Sequence, residues 1–67
     1  MWEVIVHDDG DVQIRKVPSA YHNDGSLLLF NDSDSLVAEL TSYGKSDEDI
    51  EEAMQDAEGN EYAWRTV

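Results

Sequence analysis

A chain of 67 residues has room for one hydrophobic core, and with no cysteine it can rely on neither disulfides nor thiolate metal sites. Sixteen Asp and Glu face only Arg15, Lys16, Lys45 and Arg65, a formal net charge of -12. Direct binding to nucleic acid or to an anionic membrane is therefore not expected, because phosphate recognition needs clustered Lys and Arg, and a basic protein surface is the natural complement. Hydrophobic residues still make up 40% of the chain and fall in periodic blocks, so residues 1–67 are expected to form one ordered domain.

In chain order, Trp2 to His7 and Val12 to Val17 are rich in β-branched and aromatic residues, and Asp8-Asp9-Gly10-Asp11 between them reads as a hairpin turn. A two-residue Asp9-Gly10 turn would set Ile5 opposite Ile14 and Glu3 opposite Lys16, while a three-residue loop would shift that register. Trp2, Val4 and Val6 alternate with Ile5, so both faces of the first strand are partly apolar, as in an interior strand. Pro18 ends the second strand, and Ser19 to Ser26 has the composition of a loop. Leu27 to Phe30 reads as a buried strand, Asn31 to Ser35 as a turn, and Leu36 to Thr41 as a fourth strand in which Leu36, Ala38 and Leu40 alternate with Val37, Glu39 and Thr41.

After Tyr43-Gly44-Lys45 the period changes. Ile50, Ala53, Met54 and Ala57 follow the i, i+3, i+4, i+7 spacing of an amphipathic helix, with Ser46 as N-cap, Asp47, Glu48 and Asp49 in the first turn and Gly59 at the C-terminal cap. Tyr62 to Val67 alternates as a final strand. The expected fold is α+β: an antiparallel meander of four or five strands with one amphipathic helix packed on it.

Glu48, Glu52 and Asp56 share a stripe opposite the helix's apolar face, about 6 Å apart along the axis. Such like-charge i, i+4 pairs destabilise a helix by about 0.2–0.5 kcal/mol each, and no Lys or Arg on this helix relieves them. A rigid row of carboxylates can stand in for a phosphate backbone, which makes the chain a candidate DNA- or RNA-mimicking inhibitor of a basic nucleic-acid-binding protein or complex. The candidate contact residues are Glu48, Glu52 and Asp56, with Asp49, Glu51, the turn acids Asp8, Asp9, Asp11, Asp32 and Asp34, and the loop tyrosines Tyr21 and Tyr43 as exposed anchors. The competing explanation of the stripe is a solvated helix face.

Short, acidic and cysteine-free, the chain resembles in general cast the small phage-encoded anti-defence proteins, such as anti-CRISPR and anti-restriction proteins. That resemblance implies a host-cell cytoplasmic inhibitor, but no motif is shared with any one member, so it assigns no residues. Other readings remain open: an acidic structural or adaptor protein, including one adapted to a high-salt cytoplasm, or a small subunit whose apolar second face is covered in an assembly. Open terminal strands also leave room for a homodimer.

No catalytic group, cofactor or metal is expected. Asp32-Ser33-Asp34-Ser35 begins like a calcium loop, but Val37 and Tyr43 stand where an EF-hand needs Gly and Glu. His7 and His22 lack the spacing of a dedicated metal site, and no nucleophile elbow or phosphate-cradling loop is present. The amino terminus carries no basic segment followed by an apolar run, and the longest apolar stretch is Leu27 to Phe30, so a cytoplasmic protein is expected.

Overall fold

The computed structural model describes residues 1–18 and 27–67. Strands β1 (Trp2–Val6) and β2 (Val12–Lys16) pair antiparallel. The turn between them has three residues, Asp8-Asp9-Gly10, because the His7 N–H donates to Asp11 O at 2.8 Å and the Gly10 N–H donates to His7 O at 3.0 Å. Gly10 takes φ +95°, the left-handed conformation that closes such a loop and that favours glycine. The longer turn moves the register by one residue. Val4 lies opposite Ile14, Ile5 opposite Gln13, and Glu3 opposite Arg15, instead of the Ile5–Ile14 and Glu3–Lys16 pairs of a two-residue turn.

Strand β3 (Leu27–Phe30) pairs antiparallel with the other side of β1, but it is an edge strand with Leu28 and Leu29 exposed, not the buried strand expected, and the short β4 (Arg65–Thr66) pairs with β2. The sheet order is β3-β1-β2-β4, so β1 is interior, as its two apolar faces suggest, but the strands do not follow chain order as in a meander. Of the expected tail strand only these two residues pair.

The segment expected as a fourth strand is a helix. In α1 (Ser33–Ser42), Asp32 is the N-cap, its Oδ1 accepting the Ser35 N–H at 2.7 Å, and Leu36 and Leu40 are buried. Residues four apart share a face in both a helix and a strand, so the Leu36/Leu40 pair alone does not discriminate; the cap does. At the other end Gly44, at φ +83°, closes a Schellman motif: its N–H donates to Thr41 O and the Lys45 N–H to Leu40 O.

Helix α2 (Asp47–Gly59) forms as its periodicity requires. Ser46 Oγ accepts the Asp49 N–H at 3.2 Å, and Ile50, Ala53 and Ala57 are buried. Gly59 is the last helical residue and Asn60 the cap, one position beyond the expected one.

Trp2, Val4, Val12 and Ile14 from one face of the sheet join Leu36, Leu40, Ile50, Ala53 and Ala57 in a single core, so two helices, not one, cover this face. The residues that alternate with them, Glu3 and Arg15, form a buried ion pair at 2.5 Å, with Trp64 over the Arg15 guanidinium at 4.5 Å. Glu3 Oε2 is buried and has no hydrogen-bond partner among the described residues. Removing one member of such a pair is strongly destabilising because the other charge is left uncompensated.

Candidate functional site

Chain path decides where the acids end up. Tyr62 N–H donates to Lys16 O at 3.0 Å and Arg65 lies opposite Ile14, so α2 ends beside the Lys16 end of β2. Its 13 residues span about 20 Å, which carries its first turn back towards the hairpin end of the sheet. Asp47, Glu48 and Asp49 therefore share an end of the molecule with Asp8, Asp9 and Asp11. Because β3 finishes with Phe30 opposite Trp2, Asp32 and Asp34 lie at the far end.

All seven acids of α2 are exposed, as are Asp8, Asp9 and Asp11 at the hairpin end. The stripe expected to run through Glu48, Glu52 and Asp56 is divided by its neighbours. Asp49, Glu52 and Asp56 line a cleft of about 240 Å³ together with Ala53, Arg65, Thr66 and Val67, while Glu48 stays outside it. On the opposite flank, Glu51 joins Asp47 and Glu58 along a groove of about 440 Å³ between α2 and α1, floored by Val37, Ile50 and Met54. The part played by Asp47, Glu58, Val37 and Met54 in this groove is not visible from α2 alone, because Val37 reaches it only once residues 33–42 are helical.

Several of the remaining candidates have local structural roles. Asp9 Oδ1 accepts the Asp11 N–H at 3.0 Å and tightens the hairpin loop. The Ser35 N–H and hydroxyl hold the Asp32 carboxyl below its ordinary value of 3.8, the signature of a capping carboxylate. Asp34 sits in the first turn of α1, where its charge meets the positive end of the helix. Tyr43 is exposed, and its hydroxyl donates to Glu39 Oε1 at 3.0 Å; that bond, with lesser burial and charge effects, raises its pKa above the usual 10.0. Tyr21 and His22 lie outside the described residues. His7 Nε2 shares a hydrogen bond of 2.7 Å with Gln13 Oε1.

The cations do little to neutralise α2. Arg15 is committed to Glu3 and Trp64, Lys16 stands over the Trp2 ring at 4.6 Å, and Lys45 is in the α1–α2 turn. Arg65 alone borders an acidic cleft, and within 4 Å the only ion pair among the described residues is Glu3–Arg15.

Among the described residues no helix is long and apolar enough to cross a membrane. In comparisons with known proteins, no family model matches the chain, and no curated protein and no solved structure matches it significantly.

Proposed function

We propose that this chain is a non-enzymatic inhibitor that presents α2 as a nucleic-acid mimic to the basic binding surface of a DNA- or RNA-handling protein. Glu48, Glu52 and Asp56 form the centre of the contact, with Asp49 and Glu51 beside them and Asp8, Asp9 and Asp11 extending it at the hairpin end. The observation that supports this reading is the charge density of one rigid element. Seven exposed carboxylates between Asp47 and Glu58, with no Lys or Arg on the helix, amount to one charge per about 2.5 Å of helix axis. B-DNA carries one per about 1.7 Å as a duplex and one per about 3.4 Å per strand, so α2 falls between the two. The general likeness to anti-CRISPR and anti-restriction proteins points the same way.

The test is displacement of a labelled duplex from a basic nucleic-acid-binding protein of the native host, followed by fluorescence anisotropy. The reading expects displacement that weakens steeply from low to physiological salt, because exposed charges are screened beyond about 8–10 Å. Capture without displacement would reject it.

A second reading, an acidic adaptor or high-salt protein, draws support from one observation: Asp32 and Asp34 sit at the end of the molecule away from Asp8, Asp9 and Asp11, so part of the charge is dispersed. It expects stability that climbs continuously with salt and no displacement.

A further inference from the structure

The groove between α1 and α2 combines two features that do not depend on each other. Its floor is apolar, made by Val37 of α1 with Ile50 and Met54 of α2, and Val37 and Met54 pack on the edge of the core while staying half exposed. Its rim carries Asp47, Glu51 and Glu58, none of which has a cation within 4 Å among the described residues. An occupant must therefore offer both an apolar surface and positive charge, which is what Lys and Arg beside an aliphatic anchor provide, their stems on the floor and their heads at the rim.

The walls also dictate the occupant's backbone. Both are helices, whose N–H and C=O groups are satisfied internally, so an extended peptide would find no backbone partners there, whereas a helix brings its own. A second copy of this chain cannot serve, because neither α1 nor α2 contains a Lys or Arg. Nucleic acid has the wrong sign of charge.

We infer that the α1–α2 groove receives a basic amphipathic helix of the target protein, laid along α2 with apolar residues over Val37 and Met54 and Lys or Arg side chains at Asp47, Glu51 and Glu58. This rests on the reading of α2 as a partner-binding element, and it names what the partner presents.

The probe is a synthetic helical peptide of about 12 residues, matched to the length of α2 at 1.5 Å per residue, with a leucine stripe flanked by Lys and Arg. A scrambled peptide of the same composition is the control. Amide shifts of the full chain are followed by NMR during titration. The designed peptide is expected to perturb Val37, Glu51, Met54 and Glu58 and to bind at least about tenfold tighter than its scramble. Glu51→Lys with Glu58→Lys, both exposed, is expected to lower that affinity by more than about tenfold, and Glu48→Lys by less than about threefold, with circular dichroism confirming that each variant is folded. Equal binding of the two peptides, or shifts confined to Glu48, Glu52 and Asp56, would overturn the inference.

The nucleic-acid displacement assay separates the two claims. If peptide binding maps to the groove but the protein displaces no nucleic acid, the groove assignment stands and the mimic reading fails. If displacement is lost on reversing Glu48, Glu52 and Asp56 while Glu51→Lys with Glu58→Lys leaves the peptide affinity unchanged, the mimic reading stands and the groove assignment fails.

Discussion

Helices α1 and α2 solve the same packing problem with opposite surfaces. Both place an apolar stripe on the same face of the sheet, Leu36 and Leu40 from one, Ile50, Ala53 and Ala57 from the other. Yet α1 carries two acids, Asp34 and Glu39, and α2 carries seven. Since α1 packs without the charge, the charge on α2 is not what the fold requires. It opposes folding: Glu48–Glu52, Glu52–Asp56 and Asp47–Glu51 are all like-charge pairs one turn apart, each unfavourable by about 0.2–0.5 kcal/mol. Asp56 and Glu58 add to this by lying at the negative end of the helix dipole.

The comparison first predicts equality in the core. Leu40→Ala and Ile50→Ala each remove a fully buried side chain and should each lower stability by about 2–5 kcal/mol. In a domain this small, whose core supplies about 3–5 kcal/mol in all, either change brings the chain close to unfolding in urea titrations. A marked loss for Ile50→Ala alone would mean that α1 is not a full partner in the core. The cap of α2 comes next: Ser46→Ala should lower stability by about 0.5–2 kcal/mol, seen as a lower urea midpoint, with Ser46→Asp close to wild type.

Surface charge should then separate the helices in sign. Glu52→Lys replaces two repulsive pairs with attractive ones and should raise stability by about 0.5–1 kcal/mol at low salt, a gain that shrinks as salt is added. Glu39→Lys on α1 has no acid four residues away on its helix and should change little, apart from the lost Tyr43 contact. A destabilised Glu52→Lys would show that the acids of α2 serve the fold after all.

The subtlest contrast lies in the caps, because that of α1 titrates and that of α2 does not. The Asp32 pKa is depressed in the folded chain, so the stability it contributes is present above the ordinary value of 3.8 and is lost as the pH falls through the lower folded value. Asn caps as well as Asp but does not titrate. Asp32→Asn should therefore match wild type in melting temperature near neutrality and melt higher than wild type only below about pH 3.8. Identical acid branches for the two proteins would remove Asp32 from its capping role.

How much of this was legible in the sequence differs between the same two helices. Helix α2 was readable because four apolar positions fit a 3.6-residue period, Ser46 marks its start, and its acids occupy the opposite face. Helix α1 was not, because its two core leucines are four residues apart, a spacing that a strand also satisfies, and its Asp-Ser-Asp-Ser cap looks like a hairpin turn. Gly44 carries the discriminating signal: glycine followed by Lys45 just after Thr41-Ser42-Tyr43 is how a helix closes.

The hairpin was legible in kind but not in register, since Asp-Gly serves two-residue and three-residue turns alike. The choice between them moved Arg15, not Lys16, opposite Glu3. The acidic stripe was visible as a helical period. Its division into two flanks was not, because that depends on Arg65 and Val37 arriving from distant parts of the chain.

Whether the charge of α2 serves a partner and not the fold is tested most sharply by the affinity of the triple neutralisation Glu48→Gln, Glu52→Gln, Asp56→Asn for the basic target, with its melting temperature taken from the same sample. The expected protein is at least as stable as wild type, and its affinity for the target has fallen by well over tenfold, about 1.4 kcal/mol or more of binding free energy. A triple variant that is equally stable and binds the target as tightly as wild type would contradict a partner role for the charge.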